Sequence, residues 1–125
     1  MYKESEKYTE LASEVIRTTS GMEWLEEKRI AYLSCDKAKK QGYKKILGQC
    51  IKVREIDKVF VKADFYIVIY EPNCEGFTDE QYKILLEHEL LHIGARGNIM
   101  NHDLEDFKQI VDKYGTDWAR VEVIE

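Results

Sequence analysis

Phe65-Tyr66-Ile67-Val68-Ile69-Tyr70, followed after a short break by Thr78-Asp79-Glu80-Gln81-Tyr82-Lys83-Ile84-Leu85-Leu86-Glu87-His88-Glu89-Leu90-Leu91-His92-Ile93, decides the architecture of this chain. The first stretch is an unbroken run of β-branched and aromatic residues, which fits a strand. Pro72-Asn73 ends it. The second opens with Thr78 and, three residues on, Gln81, the capping-box pattern of a helix start. Gly94 and Gly97 are its stop signals. Tyr82, Ile84, Leu85, Leu86, Leu90, Leu91 and Ile93 cover most of the helix circumference. A helix that is apolar nearly all round is a buried one.

Working outward, the apolar residues Tyr8, Leu11, Ala12, Val15 and Ile16 recur at helical spacing, which predicts a helix from Lys3 to about Thr18. Arg29-Ile30-Ala31-Tyr32-Leu33 and Ile46 to Val53 read as two more strands, and they can pair as a hairpin with a lysine-rich tip turning at Gly42. The segment Glu55 to Asp64 has no assignable pattern. Leu104, Phe107, Ile110, Val111 and Tyr114 form the inner stripe of a last helix, from Asp103 to Tyr114, stopped by Gly115. The expected class is α+β, in one domain over residues 1–125.

Composition narrows the function. With 44% hydrophobic and 34% charged residues the chain has the balance of a folded, soluble domain. A net charge of −5 argues against a general nucleic-acid binder. No apolar run nears the ~20 residues that span a bilayer, and the polar opening Met1-Tyr2-Lys3-Glu4-Ser5-Glu6-Lys7 does not resemble a signal peptide. The expected location is cytoplasmic, with no membrane partner. Cys35, Cys50 and Cys74 are an odd set, expected to be reduced thiols, although a Cys35–Cys50 bridge across the hairpin is conceivable.

The chemistry is concentrated in His88-Glu89-Leu90-Leu91-His92. Histidines four apart on a helix share a face, about 5–6 Å apart at Cβ. Two imidazoles there can converge on one zinc ion at about 2.0–2.1 Å. Glu89 is offset from that face and suited to act on a water beside the ion, as in the His-Glu-x-x-His logic of zinc peptidases. Catalytic zinc takes a third protein ligand, and the remaining histidine, His102, lies ten residues past His92. A turn at Gly94 to Gly97 can return it to the metal. Asp103 or Asp106 is the alternative third ligand, and Asp103 can otherwise orient a ligating histidine.

Each of these residues also has a plainer explanation. A single histidine is more often a hydrogen-bonded core residue than a ligand, and His-Glu-x-x-His arises by chance in unrelated helices. The pair outweighs this, because polar groups in a buried helix cost free energy unless satisfied. Acidic residues in a first helical turn favour its dipole, which explains Glu105 and competes with a metal role for Asp103. Cys74 reads as an incidental thiol before a soft ligand. The basic run Lys37, Lys39, Lys40, Lys44, Lys45, Lys52 and Arg54 reads as a solvated hairpin tip before a site for nucleic acid or an acidic partner.

The strand at Asp64 to Tyr70, Asp79-Glu80-Gln81, His88-Glu89-Leu90-Leu91-His92-Ile93 and His102-Asp103-Leu104-Glu105-Asp106-Phe107 together resemble the small zinc metallopeptidases of phages and bacteria, which are zincin-like and SprT-like. The resemblance covers roughly residues 30–115. It implies metal ligands at His88, His92 and His102, a general base at Glu89, and a small twisted β-sheet packed against the active-site helix, with N-terminal and C-terminal helices. It further implies that Phe65, Ile67 and Ile69 belong to the edge strand along which an extended substrate lies. Metzincins place a histidine where this chain has Asn98, and gluzincins take a later glutamate than Glu105, so both fit less well.

The expected activity is therefore hydrolysis of peptide bonds in a protein or peptide substrate, with one Zn2+ ion. Arg96 and Tyr114 are candidate oxyanion donors. The rivals are a non-catalytic zinc-binding protein and a phage-type regulator acting through the lysine-rich hairpin. The sequence leaves the oligomeric state open.

Overall fold

The computed structural model describes residues 1–94 and 98–100. The expected last helix, Asp103 to Tyr114, lies outside the described residues. So do His102, Asp103, Glu105, Asp106, Arg96 and Tyr114.

In chain order the elements are β1 (Tyr2–Glu4), α1 (Glu6–Thr18), a 3-10 turn (Glu23–Glu27), β2 (Ile30–Cys35), β3 (Lys40–Gln41), β4 (Lys44–Lys45), β5 (Gly48–Lys52), a 3-10 turn (Glu55–Val59), β6 (Phe65–Tyr70), a 3-10 turn (Glu71–Cys74) and α2 (Asp79–Leu90). The class is α+β, as expected. Four strands form one mixed sheet in the order β1-β2-β6-β5. β1 and β5 run antiparallel to their neighbours, and β2 runs parallel to β6 with Ile30 opposite Phe65 and Cys35 opposite Tyr70. β3 and β4 make a separate two-stranded hairpin.

Three expectations are corrected. The N-terminal helix does not begin at Lys3: residues Tyr2–Glu4 pair with β2, and the helix starts after Ser5, whose hydroxyl accepts from the Tyr8 N–H at 3.1 Å. Ser5 is a good N-cap and Lys3 is not. The strands β2 and β5 do not pair as a hairpin, because β6 lies between them; only the short β3–β4 tip closes locally. Finally, β6 is not an edge strand. It is paired on both sides, and Phe65, Ile67 and Ile69 are core residues. An unbroken apolar run is the signature of a strand buried on both faces, which is what β6 is.

Side chains alternate across the sheet. Tyr32, Cys50, Phe65, Ile67 and Ile69 face the helices and pack with Tyr8, Ala12, Val15, Leu85, Leu86 and Leu90. The opposite face carries a smaller cluster of Cys35, Ile46, Val68 and Tyr70. Cys35 and Cys50 thus sit on opposite faces of the sheet, and all three cysteines are free thiols. Each large apolar side chain removed from water contributes roughly 1.5–3 kcal/mol before entropy is counted. The two helices are also tied by Lys83 and Glu14 at 2.7 Å, and Tyr8 donates to Glu71 at 2.6 Å. Among the described residues no helix is long and apolar enough to cross a membrane.

Candidate metal centre

Helix α2 starts where the sequence predicts, but it ends at Leu90 instead of running to about Ile93, so His92 lies in the turn just beyond its C-cap Leu91. The Thr78 hydroxyl accepts from the Gln81 N–H at 3.2 Å, and the Gln81 side chain accepts from the Thr78 N–H at 2.9 Å. This reciprocal cap satisfies two otherwise orphaned donors. From there Tyr82, Leu85, Leu86 and Leu90 turn into the core and carry the polar residues of the last turns with them. Glu87, His88, Glu89 and His92 are all buried, the two histidines to 3% exposure and the two glutamates to 1%. Such burial is costly unless the groups are satisfied, so the four residues are held by their surroundings.

The two imidazoles lie side by side, with ring centroids 5.4 Å apart and planes 70° from parallel. Behind them the chain doubles back. The Gly94 N–H donates to the Asn98 carbonyl at 2.7 Å and the Met100 N–H donates to the His92 carbonyl at 2.5 Å, with Ile93 bridged to Ile99. The return places the Met100 carbonyl 2.5 Å from Nδ1 of His92. A carbonyl only accepts, so Nδ1 is the donor in this contact, and Nε2 is the ring nitrogen left to face a metal. This is how ligating histidines are commonly oriented: the second ring nitrogen donates to a carbonyl or carboxylate and fixes the tautomer.

Glu89 is directed elsewhere, toward the sheet. Its Oε2 stands 3.3 Å from the position a Cβ would take at Gly48, the first residue of β5. The motif glutamate therefore lies against the outer strand of the sheet while His92 faces the returning segment.

Two imidazoles and a neighbouring carboxylate are suitable chemistry for zinc. They are also incomplete: among the described residues no group of three or more His, Cys, Asp or Glu side chains is placed to hold a metal ion. The candidate third ligands His102, Asp103 and Asp106 lie outside the described residues. Cys74 does not join the site. It is buried, its Sγ lies 3.7 Å from the Leu47 carbonyl, and burial pushes its thiol up to about 12. A thiol held protonated is a poor ligand.

Two contributors are not evident from the motif. The Met100 carbonyl is a backbone group with no sequence signature. Gly48 has one, since an isolated glycine within a strand marks a close approach by another group.

Neither curated proteins nor solved structures give a match to this chain. A family model described as "Putative phage metallopeptidase" matches residues 1–123. With a match over nearly its whole length, the chain belongs to this phage metallopeptidase family.

Proposed function

We propose that the protein is a zinc-dependent peptidase of the zincin-like, SprT-like kind, a single domain over residues 1–125, in which His88, His92 and His102 hold one Zn2+ ion and Glu89 is the general base. The observation that carries this reading is the arrangement at the end of α2 and in the turn that follows it: two buried imidazoles side by side, the His92 ring donating from Nδ1 to the Met100 carbonyl, and a buried carboxylate beside them turned toward the sheet. His102 follows Met100 by two residues in the chain. Asp103 then serves to orient a ligating histidine, or supplies the third ligand in place of His102.

When bound, zinc supplies a Lewis acid that makes water nucleophilic near neutral pH and polarises a scissile carbonyl. Glu89 takes the proton of the attacking water on its carboxylate and delivers it to the departing amine. Its burial keeps bulk water from competing for that proton. The extended substrate lies along β5, not along the strand of Phe65, Ile67 and Ile69. Among the described residues nothing pairs with the outer side of β5, so its backbone can accept a peptide by strand addition.

The test combines elemental analysis with a peptide library. One zinc per chain, weakened in His102→Ala, together with cleavage that disappears in Glu89→Gln while zinc stays bound, is the expected result. Full activity in Glu89→Gln sinks the role given to Glu89. A zinc-loaded protein that cleaves nothing across a broad library leaves a metal-holding protein instead of a peptidase.

A further inference from the structure

The β3–β4 hairpin has no part in the metal centre, yet it carries five lysines within nine residues: Lys37, Lys39, Lys40, Lys44 and Lys45. Lys40 and Lys45 are direct cross-strand partners. Like charges placed opposite each other destabilise a strand pair. Among the described residues, no carboxylate forms an ion pair with Lys40, Lys44 or Lys45. At the tip, Gly42 adopts φ 62° and the Tyr43 ring stands fully in solvent between the lysines. Solubility explains scattered charge. It does not explain a repulsive pair flanking an exposed aromatic ring, whereas an anionic ligand does.

The hairpin is also held in place. The Asn73 side chain donates to the carbonyls of Lys39 and Ile46, each at 2.8 Å, and so clamps both of its legs. Lys39 donates to Gln49 of β5 at 2.9 Å, and its ammonium lies 5.5 Å from the centre of the Tyr70 ring. The lysines are thereby fixed to the start of β5, the end where Gly48 meets Glu89. The far end of β5, Lys52, is about 13 Å away at the usual rise per residue.

We propose that this hairpin selects peptides with acidic side chains on the C-terminal side of the bond to be cut, an inference that rests on the peptidase reading above. Antiparallel addition is the slightly more stable pairing, and β5 already pairs that way with β6. A peptide antiparallel to β5 runs from Lys52 toward Gly48, so the residues after the bond beside Glu89 continue to the lysines. A nucleic acid offers the same charge, but the continuity of the hairpin with β5 and the net charge of −5 favour a short acidic segment over a long polyanion.

Binding is measured with zinc-supplemented Glu89→Gln protein, so that cleavage does not intervene. The probes are fluorescein-labelled dodecapeptides with a tri-Glu, tri-Ala or tri-Lys segment in the C-terminal half, one with tri-Glu in the N-terminal half, and a single-stranded oligonucleotide. The C-terminal tri-Glu peptide is expected to bind about tenfold more tightly than the tri-Ala peptide, the sum of a few exposed ion pairs. The preference should vanish in the Lys40→Glu/Lys44→Glu/Lys45→Glu variant at an unchanged Tm, and should shrink with added salt in the protein with its lysines intact. Equal affinities, a preference for N-terminal tri-Glu, or tighter binding of the oligonucleotide overturns the proposal. Wild-type cleavage of the same peptides separates the two readings: cleavage without charge preference removes only the hairpin's role, and charge-selective binding without any cleavage removes only the peptidase.

Discussion

Glu89 and Gly48 meet where helix α2 crosses the start of β5: Oε2 of the glutamate stands 3.3 Å from the point a Cβ would occupy on the glycine. The same point is 3.1 Å from the Val68 carbonyl oxygen, which is backbone and has little room to move. Gly48→Ala therefore presses on the sheet and on the motif carboxylate together. Overpacking of this kind costs roughly 1–3 kcal/mol. The expected result is a lowered Tm and a fall in kcat larger than any change in KM, because the base is shifted and the binding edge is kept. Unchanged melting and turnover would show that the contact is slack.

Zinc should stabilise the fold. A ligand bound only by the native state adds about 2.7 kcal/mol at a hundred times its Kd. Adding zinc to chelator-treated protein is expected to raise Tm, and His88→Ala and His92→Ala should each abolish that rise. Differential scanning fluorimetry reads this without any substrate. A rise of equal size in both variants would remove the two histidines from the site.

Acid should weaken the junction between β2 and β6. The Arg29 guanidinium beside Asp64 lowers that carboxyl from 3.8 to about 2, with Lys58 assisting at 3.3 Å. A carboxyl depressed in the folded state stabilises it above the unfolded value, and that contribution is lost as pH falls from about 4 towards 2. Urea unfolding across this range should show a shallower loss of stability in Asp64→Asn than in wild type. Parallel curves would assign the acid sensitivity elsewhere.

Cys74 should be inert in the folded protein. It is 1% exposed and its thiol is pushed up to about 12, so the reactive thiolate is scarce at pH 8. Iodoacetamide followed by mass spectrometry is expected to label Cys74 only after denaturation. Rapid labelling of the native protein would contradict its burial.

Helix α2 and strand β6 were legible because their signals are local. Thr78 and Gln81 cap a helix by contacts three residues apart, and Phe65 to Tyr70 declare a strand by composition alone. The pair His88 and His92 was legible from its spacing of four, and the rings do lie side by side, although His92 sits in the turn just past α2. The placing of Phe65, Ile67 and Ile69 at a sheet edge failed because a strand's neighbours are not written in the strand. The partners β2 and β5 are supplied by segments whose paired residues lie 35 and 13 to 21 positions away in the chain and become neighbours only on folding.

The sequence by itself determined the α+β class, the buried helix with its cap, and the histidine pair with Glu89 between them. Tertiary structure alone decided that Glu89 faces Gly48, that the Met100 carbonyl meets His92, and that, among the described residues, β5 rather than β6 has an unpaired side. Periodicity and capping act over a single turn of chain. Glu89 on Gly48 and the pairing of β5 arise from packing between segments distant in sequence, and the Met100 contact from a return of the chain eight residues after His92; no capping or periodicity pattern encodes which of these groups meet.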